Sequence, residues 1–223
     1  MGESMEKVVC LVSGGIDSPV ACALAARSFE VLPLHFCIYP HTKRENLLLT
    51  VEAMKRLKER IGFEKALIFP WAKILGRISE VGGRYTCVLC RAGMLKAAEM
   101  VCEREGASAV VTGESLGQKA SQTLQNMAAI SAGLRLPVLR PLLTMDKLEV
   151  ERLSKELGIW REEHAGVCSL VPRHPVTRAR REIIDDLLAR LNLDAEIRDE
   201  MDRIFEIRDF DRDVRIFLSS LRV

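Results

Sequence analysis

Apolar runs alternate with amphipathic stretches along most of the chain. KVVCLV (7–12) reads as a short buried strand that ends in a Ser-Gly-Gly turn, and a helical pattern follows over 18–27. VLPLHF (31–36) predicts a second strand, with Pro33 pointing to an edge or irregular course. Residues 45–61 predict a long amphipathic helix whose apolar side carries Leu48, Leu49, Val51, Met54, Leu57 and Ile61. KALIF (65–69) is a third strand closed by Pro70, 90–104 is helical, and ASAVVTG (107–113) is a fourth strand. A helix over 120–134, a short strand in PVLRPL (137–142) and a helix over 145–157 stopped by Gly158 complete the series. Strands alternating with helices predict a parallel sheet covered on both faces. Ligands in such sheets bind beyond the carboxyl ends of the strands. Residues 13–18, His35 and Phe36, 113–122 and the loop after Arg140 all fall at those ends.

From Arg178 onward the texture changes. This tail holds no Gly, Pro or Lys and carries 10 Arg against 12 Asp and Glu. Its apolar residues, from Ile183 and Ile184 through Ile197 and Met201 to Ile204 and Phe205, have helical spacing. They describe either a docking or dimerising element or helices that cover the sheet domain. The expected division is therefore 1–177 for the sheet domain and 178–223 for a C-terminal helical extension.

The 223 residues suit one sizeable domain with an appendage. A formal net charge of +2 gives no global field that would mark a nucleic-acid binder, though a local patch is compatible with it. No apolar run is long enough to span a membrane, and the acidic start does not resemble a secretory signal. Seven cysteines, an odd count, then read as core residues plus a reactive or metal-binding subset in a reducing, cytoplasmic setting.

SGGIDS (13–18) lies between a strand and a helix. Its glycines let backbone N–H groups turn toward an anion, and Ser18 stands where the helix dipole favours negative charge. The pattern is neither the Walker loop nor GxGxxG. It resembles the PP-loop of ATP pyrophosphatases, which split ATP to an adenylate and pyrophosphate. Asp17 either places a magnesium ion against the phosphates or caps the helix that follows.

SGGIDSPVA (13–21), LHF (34–36), TGESLGQKASQT (112–123), PVLRPLLTMDK (137–147) and CSLVPRHPVT (168–177) together resemble the catalytic domain of the tRNA 4-thiouridine synthetases, the ThiI-like tRNA sulfurtransferases. The similarity runs over roughly residues 6–178. It implies an α/β fold of the PP-loop ATP pyrophosphatase (adenine nucleotide alpha hydrolase-like) type, three-layered around a parallel sheet. It also implies ATP and magnesium as cofactors, and a uridine of tRNA whose carbon-4 oxygen is replaced by sulfur. Matching positions place Leu11, Val12, Ser13, Gly14, Gly15, Asp17, Ser18, His35, Phe36, Arg91, Gly113 and Gln122 around the adenylate. Family members usually carry a THUMP module for RNA, and some carry a rhodanese domain. This chain has room for neither, so a separate RNA-binding subunit or a homodimer enters as an expected partner, and a membrane does not.

Cys87 and Cys90 form CVLC, and Cys168 lies far along the chain. A CxxC pair can clamp a metal or form a redox disulfide. The CxxC-plus-distant-Cys arrangement is similar to that of iron–sulfur-dependent thiouridine synthetases, which implies a cluster on Cys87, Cys90 and Cys168 with one iron left open. Cys168 also matches the family's persulfide-carrying cysteine, with a cysteine desulfurase or sulfide as sulfur source and Cys87 or Cys90 as the resolving thiol. Structural zinc is the third reading. Cys10, Cys22 and Cys102 are expected in the core, and Cys37 near the nucleotide stays ambiguous.

The chemistry asks for activation because hydroxide is a poor leaving group from a uracil carbonyl, whereas AMP is a good one. Lys43, Arg44, Arg84, Lys119, Arg173, Arg178, Arg180 and Arg181 are candidate contacts to an RNA backbone. Two other readings compete: adenylation of a small molecule, and a nucleotide-binding subunit of a larger RNA-modifying complex.

Overall fold

The computed structural model describes residues 5–117, 122–163 and 165–221. In chain order the elements are β1 (Lys7–Leu11), α1 (Asp17–Ala25), β2 (Glu30–Cys37), α2 (Arg44–Ile61), β3 (Ala66–Pro70), α3 (Ala72–Gly82), α4 (Thr86–Glu105), β4 (Ala109–Val111), α5 (Leu124–Ser131), β5 (Val138–Leu139), α6 (Lys147–Glu156), α7 (Arg181–Arg190), α8 (Leu193–Met201), β6 (Phe205–Ile207) and α9 (Phe210–Ser220). The strands form a six-stranded sheet in the order β5-β4-β1-β2-β3-β6, parallel except where β6 runs antiparallel to β3.

Each central strand buries both faces, which is why it reads as an apolar run rather than an alternation. Val9 of β1 joins Leu34, Phe69 and Trp71 in a core beneath α3, α4, α7 and α8. Its neighbours Val8 and Cys10 join Val31, Ile68 and Met54 in a second core on the opposite face, beneath α1, α2, α6 and α9.

Pro33 does not put β2 at an edge; the strand lies between β1 and β3. Leu34 C=O accepts from Val12 N–H and Cys37 C=O from Trp71 N–H, so alternate residues of β2 bond to β1 and to β3. Pro33 therefore turns its missing donor toward β3, where pairing begins only at Leu34 and Leu67. Leu48, assigned to the apolar side of α2, is 44% exposed. The predicted helix over 120–134 begins among residues outside the described set, and its described part is the shorter α5.

The tail contributes more than helices. Phe205–Ile207 is a strand that extends the sheet beyond β3, although Phe205 fits the helical spacing of the residues before it. Ile184, Leu191, Leu193 and Ile197 belong to the same core as Leu34 and Phe69. No helix among the described residues is long and apolar enough to cross a membrane.

Ile197 is fully buried in that shared core. Ile197→Ala is expected to destabilise the whole protein by about 2–5 kcal/mol, read as a lower urea midpoint in one cooperative transition. Separate melting of the tail with the sheet unaffected would contradict the shared core.

Candidate active site

The chain order reverses at β1. It runs outward through β2 and β3, then returns through α4 to β4 on the other side. Such a switch point opens a crevice at the carboxyl ends of the two flanking strands. Here it holds a cavity of about 380 Å³. Leu11, Val12, Ser13, Gly14, Gly15, Asp17, Ser18, His35, Phe36, Arg91, Gly113 and Gln122 all line it, so the structure brings together every position expected around the nucleotide.

The loop after β1 is tied internally. Ser13 N–H donates to Ser18 Oγ at 2.8 Å, and the two hydroxyls lie 2.9 Å apart. Asp17 is the first helical residue of α1, and the N-cap position falls on Ile16, whose side chain makes no cap. The helix start is thus left to its backbone groups, the arrangement that favours an anion.

Gly113 stands where two backbones pass close together. A Cβ there would meet Ser18 N at 2.5 Å and Asp17 C at 2.7 Å, so the approach to the backbone of α1 requires glycine. Gly14 is hemmed in similarly, by Ala165 Cβ at 2.5 Å and Thr50 Oγ1 at 2.9 Å from an added Cβ.

Two residues that the sequence did not single out shape the charge. Glu114, 3% exposed, accepts from Arg91, from Arg140 Nε at 2.7 Å and from Thr112 Oγ1 at 3.1 Å. Burial alone would raise its pKa, but Arg91, Arg140 and these hydrogen bonds outweigh it and hold the carboxyl below its ordinary value. Arg91, expected around the adenylate, is thereby held at the cavity wall by a buried carboxylate. Arg161, 8% exposed, donates to Gly14 C=O at 2.9 Å and to Leu49 C=O at 2.6 Å.

His35 is held neutral. Burial pushes its pKa down to about 4, against the smaller upward pull of its 3.0 Å hydrogen bond to Val12 C=O. Its place is structural, with Nδ1–H donating to the strand carbonyl. Gln122 is 5% exposed, and its Oε1 has no hydrogen-bond partner among the described residues. A buried amide oxygen facing a cavity is an acceptor waiting for a donor such as an exocyclic amine.

The cysteines sort by burial. Cys10, Cys22, Cys37 and Cys102 are buried, whereas Cys87, Cys90 and Cys168 are half-buried. Cys87 joins Cys90 in the first turns of α4, which begins at Thr86, ahead of the helix expected over 90–104. Burial pushes the Cys90 thiol up to about 12, although Trp71 Nε1–H donates to its sulfur at 3.3 Å. Cys168 and Cys87 lie near enough that their charges would raise it further. Yet among the described residues no three His, Cys, Asp or Glu side chains are gathered as a metal ion requires. The expected set of Cys87, Cys90 and Cys168 is therefore not gathered into a cluster site as arranged, with Cys90 Sγ accepting from Trp71 Nε1–H instead.

Cys168 sits on a strap that is fastened to the nucleotide loop. Ala165 N–H donates to Gly14 C=O at 3.0 Å, Gly166 N–H to Asn46 Oδ1 at 2.7 Å, and Ser169 N–H to His41 C=O at 2.9 Å. Just beyond, Ser79, Thr86, Arg84, Ser169, Arg173 and His174 line a groove with no carboxylate in it. Lys43, Arg44, Arg178 and Arg180 are exposed, and none makes an ion pair among the described residues. Arg181 instead bonds Asp185 and the carbonyls of Ala129 and Ala132, a fold-holding role. Lys119 lies outside the described residues.

A glycine loop between a buried parallel strand and an uncapped helix start, opening on a switch-point cavity, defines a PP-loop nucleotide-binding domain. The family model for the thiamine biosynthesis protein ThiI matches residues 3–193, and the chain belongs to that family. It is 41% identical over 197 residues to a probable tRNA sulfurtransferase of Methanothermobacter thermautotrophicus, covering 86% of this chain and 51% of that protein. A probable tRNA sulfurtransferase of Thermus thermophilus is 39% identical over 194 residues, covering 83% and 47%. The chain thus spans about half the length of these relatives. Among solved structures, a 4-thiouridine synthetase–RNA complex with bound ATP superposes with a TM-score of 0.80 at 28% identity, covering 91% of this chain and 55% of that one. The U34-tRNA thiolase NcsA of Methanococcus maripaludis, which holds a [4Fe-4S] cluster, has a TM-score of 0.53 at 17% identity, covering 86% and 68%; this likeness is one of fold.

Two outcomes follow from the geometry. Gly113→Ala has no room against the α1 backbone and should cost about 1–3 kcal/mol in a urea titration. For His35, the unfolded state binds the proton more readily than the folded state between about pH 6.5 and 4. Its share of stability is present above that window and is lost as pH falls through it, amounting to about 2–3 kcal/mol by pH 4.5. The difference in urea midpoint between pH 7 and 4.5 should shrink in His35→Asn; an unchanged difference would show that His35 is not the group responsible.

Proposed function

We propose that this chain is the ATP-dependent catalytic part of a tRNA sulfurtransferase, adenylating a uridine at its carbon-4 oxygen and replacing that oxygen with sulfur. The observation that carries the reading is the fastening of the Cys168 strap onto the carbonyl of Gly14. A phosphate loop and a half-exposed thiol joined by hydrogen bonds suit a reaction in which a nucleotide activates and a sulfur displaces. Family membership and the RNA- and ATP-bound state of the superposed 4-thiouridine synthetase support the same substrates.

The loop backbone and the start of α1 would hold the β- and γ-phosphates, and Asp17 would hold magnesium against them. Arg91 would face the charge that develops on the phosphates. The uridine oxygen attacks the α-phosphorus and pyrophosphate leaves. The outer sulfur of a persulfide on Cys168, loaded by a cysteine desulfurase, then attacks carbon 4, and AMP departs with the oxygen. A thiolate of Cys87 breaks the resulting S–S bond, which leaves sulfur on the uridine and a Cys87–Cys168 disulfide for an external dithiol to reduce. Cys90 suits that last step less, since its thiol stays protonated. The carboxylate-free groove beside Cys168 and the exposed arginines would carry the RNA backbone.

A cluster on Cys87, Cys90 and Cys168 is the second reading, favoured by the nearness of Cys87 and of Cys168 to Cys90. It requires Cys90 to ionise and the set to draw together, so no step is routed through it.

The test is thiolation of bulk tRNA by the full chain with ATP, cysteine, a desulfurase and a dithiol, read as 4-thiouridine in the digested RNA. Cys168→Ser is expected to abolish the product. Iron and acid-labile sulfide are measured on the same anaerobic sample: on the order of four irons per chain would move the sulfur chemistry to the cluster. AMP and pyrophosphate formed with a small acceptor, and no product from RNA, would instead favour small-molecule adenylation. ATP binding without pyrophosphate release would favour a subunit of a larger complex.

A further inference from the structure

Arg161 is a buried cation that, among the described residues, hydrogen-bonds two carbonyls and no carboxylate. Nη1 donates to Leu49 C=O at 2.6 Å in α2, and Nη2 to Gly14 C=O at 2.9 Å in the phosphate loop, 147 residues earlier in the chain. Burial, with a smaller contribution from neighbouring Arg56, lowers its pKa, yet a guanidinium stays charged through the physiological range. Taking such a charge out of water is costly unless its fork of donors is satisfied by well-placed acceptors.

The consequence for the loop follows from peptide geometry. The Gly14–Gly15 peptide is planar and trans, so its C=O and N–H point in opposite directions. Arg161 and Ala165 N–H, at 3.0 Å, both draw the Gly14 carbonyl toward the strap. Among the described residues, the Gly15 N–H on the other side of that peptide makes only a long, 3.4 Å contact with Ser13 Oγ, and Gly15 lines the cavity. Glycine is the residue most able to let this peptide flip. A flipped Gly14 would put a carbonyl oxygen, not a donor, against a phosphate.

We propose that Arg161 is a positioning residue of the phosphate loop, fixing the Gly14 peptide so that its donor faces a polyphosphate and its acceptor faces away. The proposal rests on the nucleotide reading given above.

The test compares binding of ATP, inorganic pyrophosphate and adenosine to wild type, Arg161→Met and Arg161→Lys, all as the full chain. Arg161→Met should lose tenfold or more in affinity for ATP and pyrophosphate while adenosine changes less than twofold. Arg161→Lys, which keeps the charge but reaches one carbonyl, should lie between. A folded Arg161→Met with the wild-type ratio of ATP to adenosine affinity overturns the proposal. Should the methionine variant fail to fold, the lysine variant decides: a several-fold drop in that ratio supports the role, and an unchanged ratio removes it. Wild type that binds neither ATP nor pyrophosphate sinks the nucleotide reading itself, and the role of Arg161 with it. Loss of affinity for all three ligands in equal measure would indicate a merely structural residue.

Discussion

Two backbones pass closer at the switch point than any side chain would allow. The turn after β4 runs past the first residues of α1 with so little clearance that a Cβ at Gly113 would lie 2.5 Å from Ser18 N. That approach brings the two halves of the crevice together. On one side stands the glycine loop after β1; on the other, Thr112, Glu114 and the arginines that Glu114 collects. A wider separation would leave Arg91 and the loop acting on different regions of space. The sheet provides the constraint by pairing β1 directly with β4, three residues on each strand in parallel register.

Within the crevice, buried charge is arranged so that each group has a fixed partner. Glu114 is satisfied by two arginines and a hydroxyl, and Arg161 by carbonyl oxygens. His35, which could have carried a proton at neutral pH, is kept neutral by burial. The cavity lining also offers backbone donors of the glycine loop, the guanidinium of Arg91 beside Glu114, the carboxylate of Asp17 and the amide of Gln122. Such a site is organised for binding and stabilising phosphate charge rather than for acid–base relay, which fits a reaction whose leaving group is pyrophosphate.

Much of this was legible in the sequence where the signal is local. β1, β2 and β3 read as apolar runs because both their faces are buried, and SGGIDS reads as a phosphate loop because turn, glycines and helix start are contiguous. Legibility failed where partners are distant or elements short. Glu114 lies in a recognisable motif, but its role depends on Arg91 and Arg140 from other elements. Arg161 depends on Gly14, across most of the chain. The helix α3 escaped notice because it presents only Ile74, Leu75 and Ile78 to the core, between a Pro-Trp pair and a Gly-Gly pair. β6 is three residues long, and its Phe205 continues a helical spacing by coincidence; the open edge of β3 made it a strand. Pro33 misled for a related reason, since what decides its tolerance is the neighbour its missing N–H would face.

The cysteines show how burial divides one chemical type into several roles. Cys10, Cys22 and Cys102 pack as small apolar residues, and burial holds the Cys10 and Cys102 thiols well above the ordinary range. A sulfur carrier cannot be treated in this way, because it has to meet a donor protein at one moment and an activated base at another. Cys168, the thiol proposed for that role, is placed otherwise: it is half-buried against the core that holds α4, and it is carried on a strap rather than on a helix or strand. The same strap reaches back to Gly14, Asn46 and His41, so the freedom of Cys168 is bounded by bonds to the nucleotide loop and to the start of α2. In the proposed reaction adenylation and sulfur transfer act on one carbon atom, and the hydrogen bonds between strap and loop would keep the two chemistries within reach of each other.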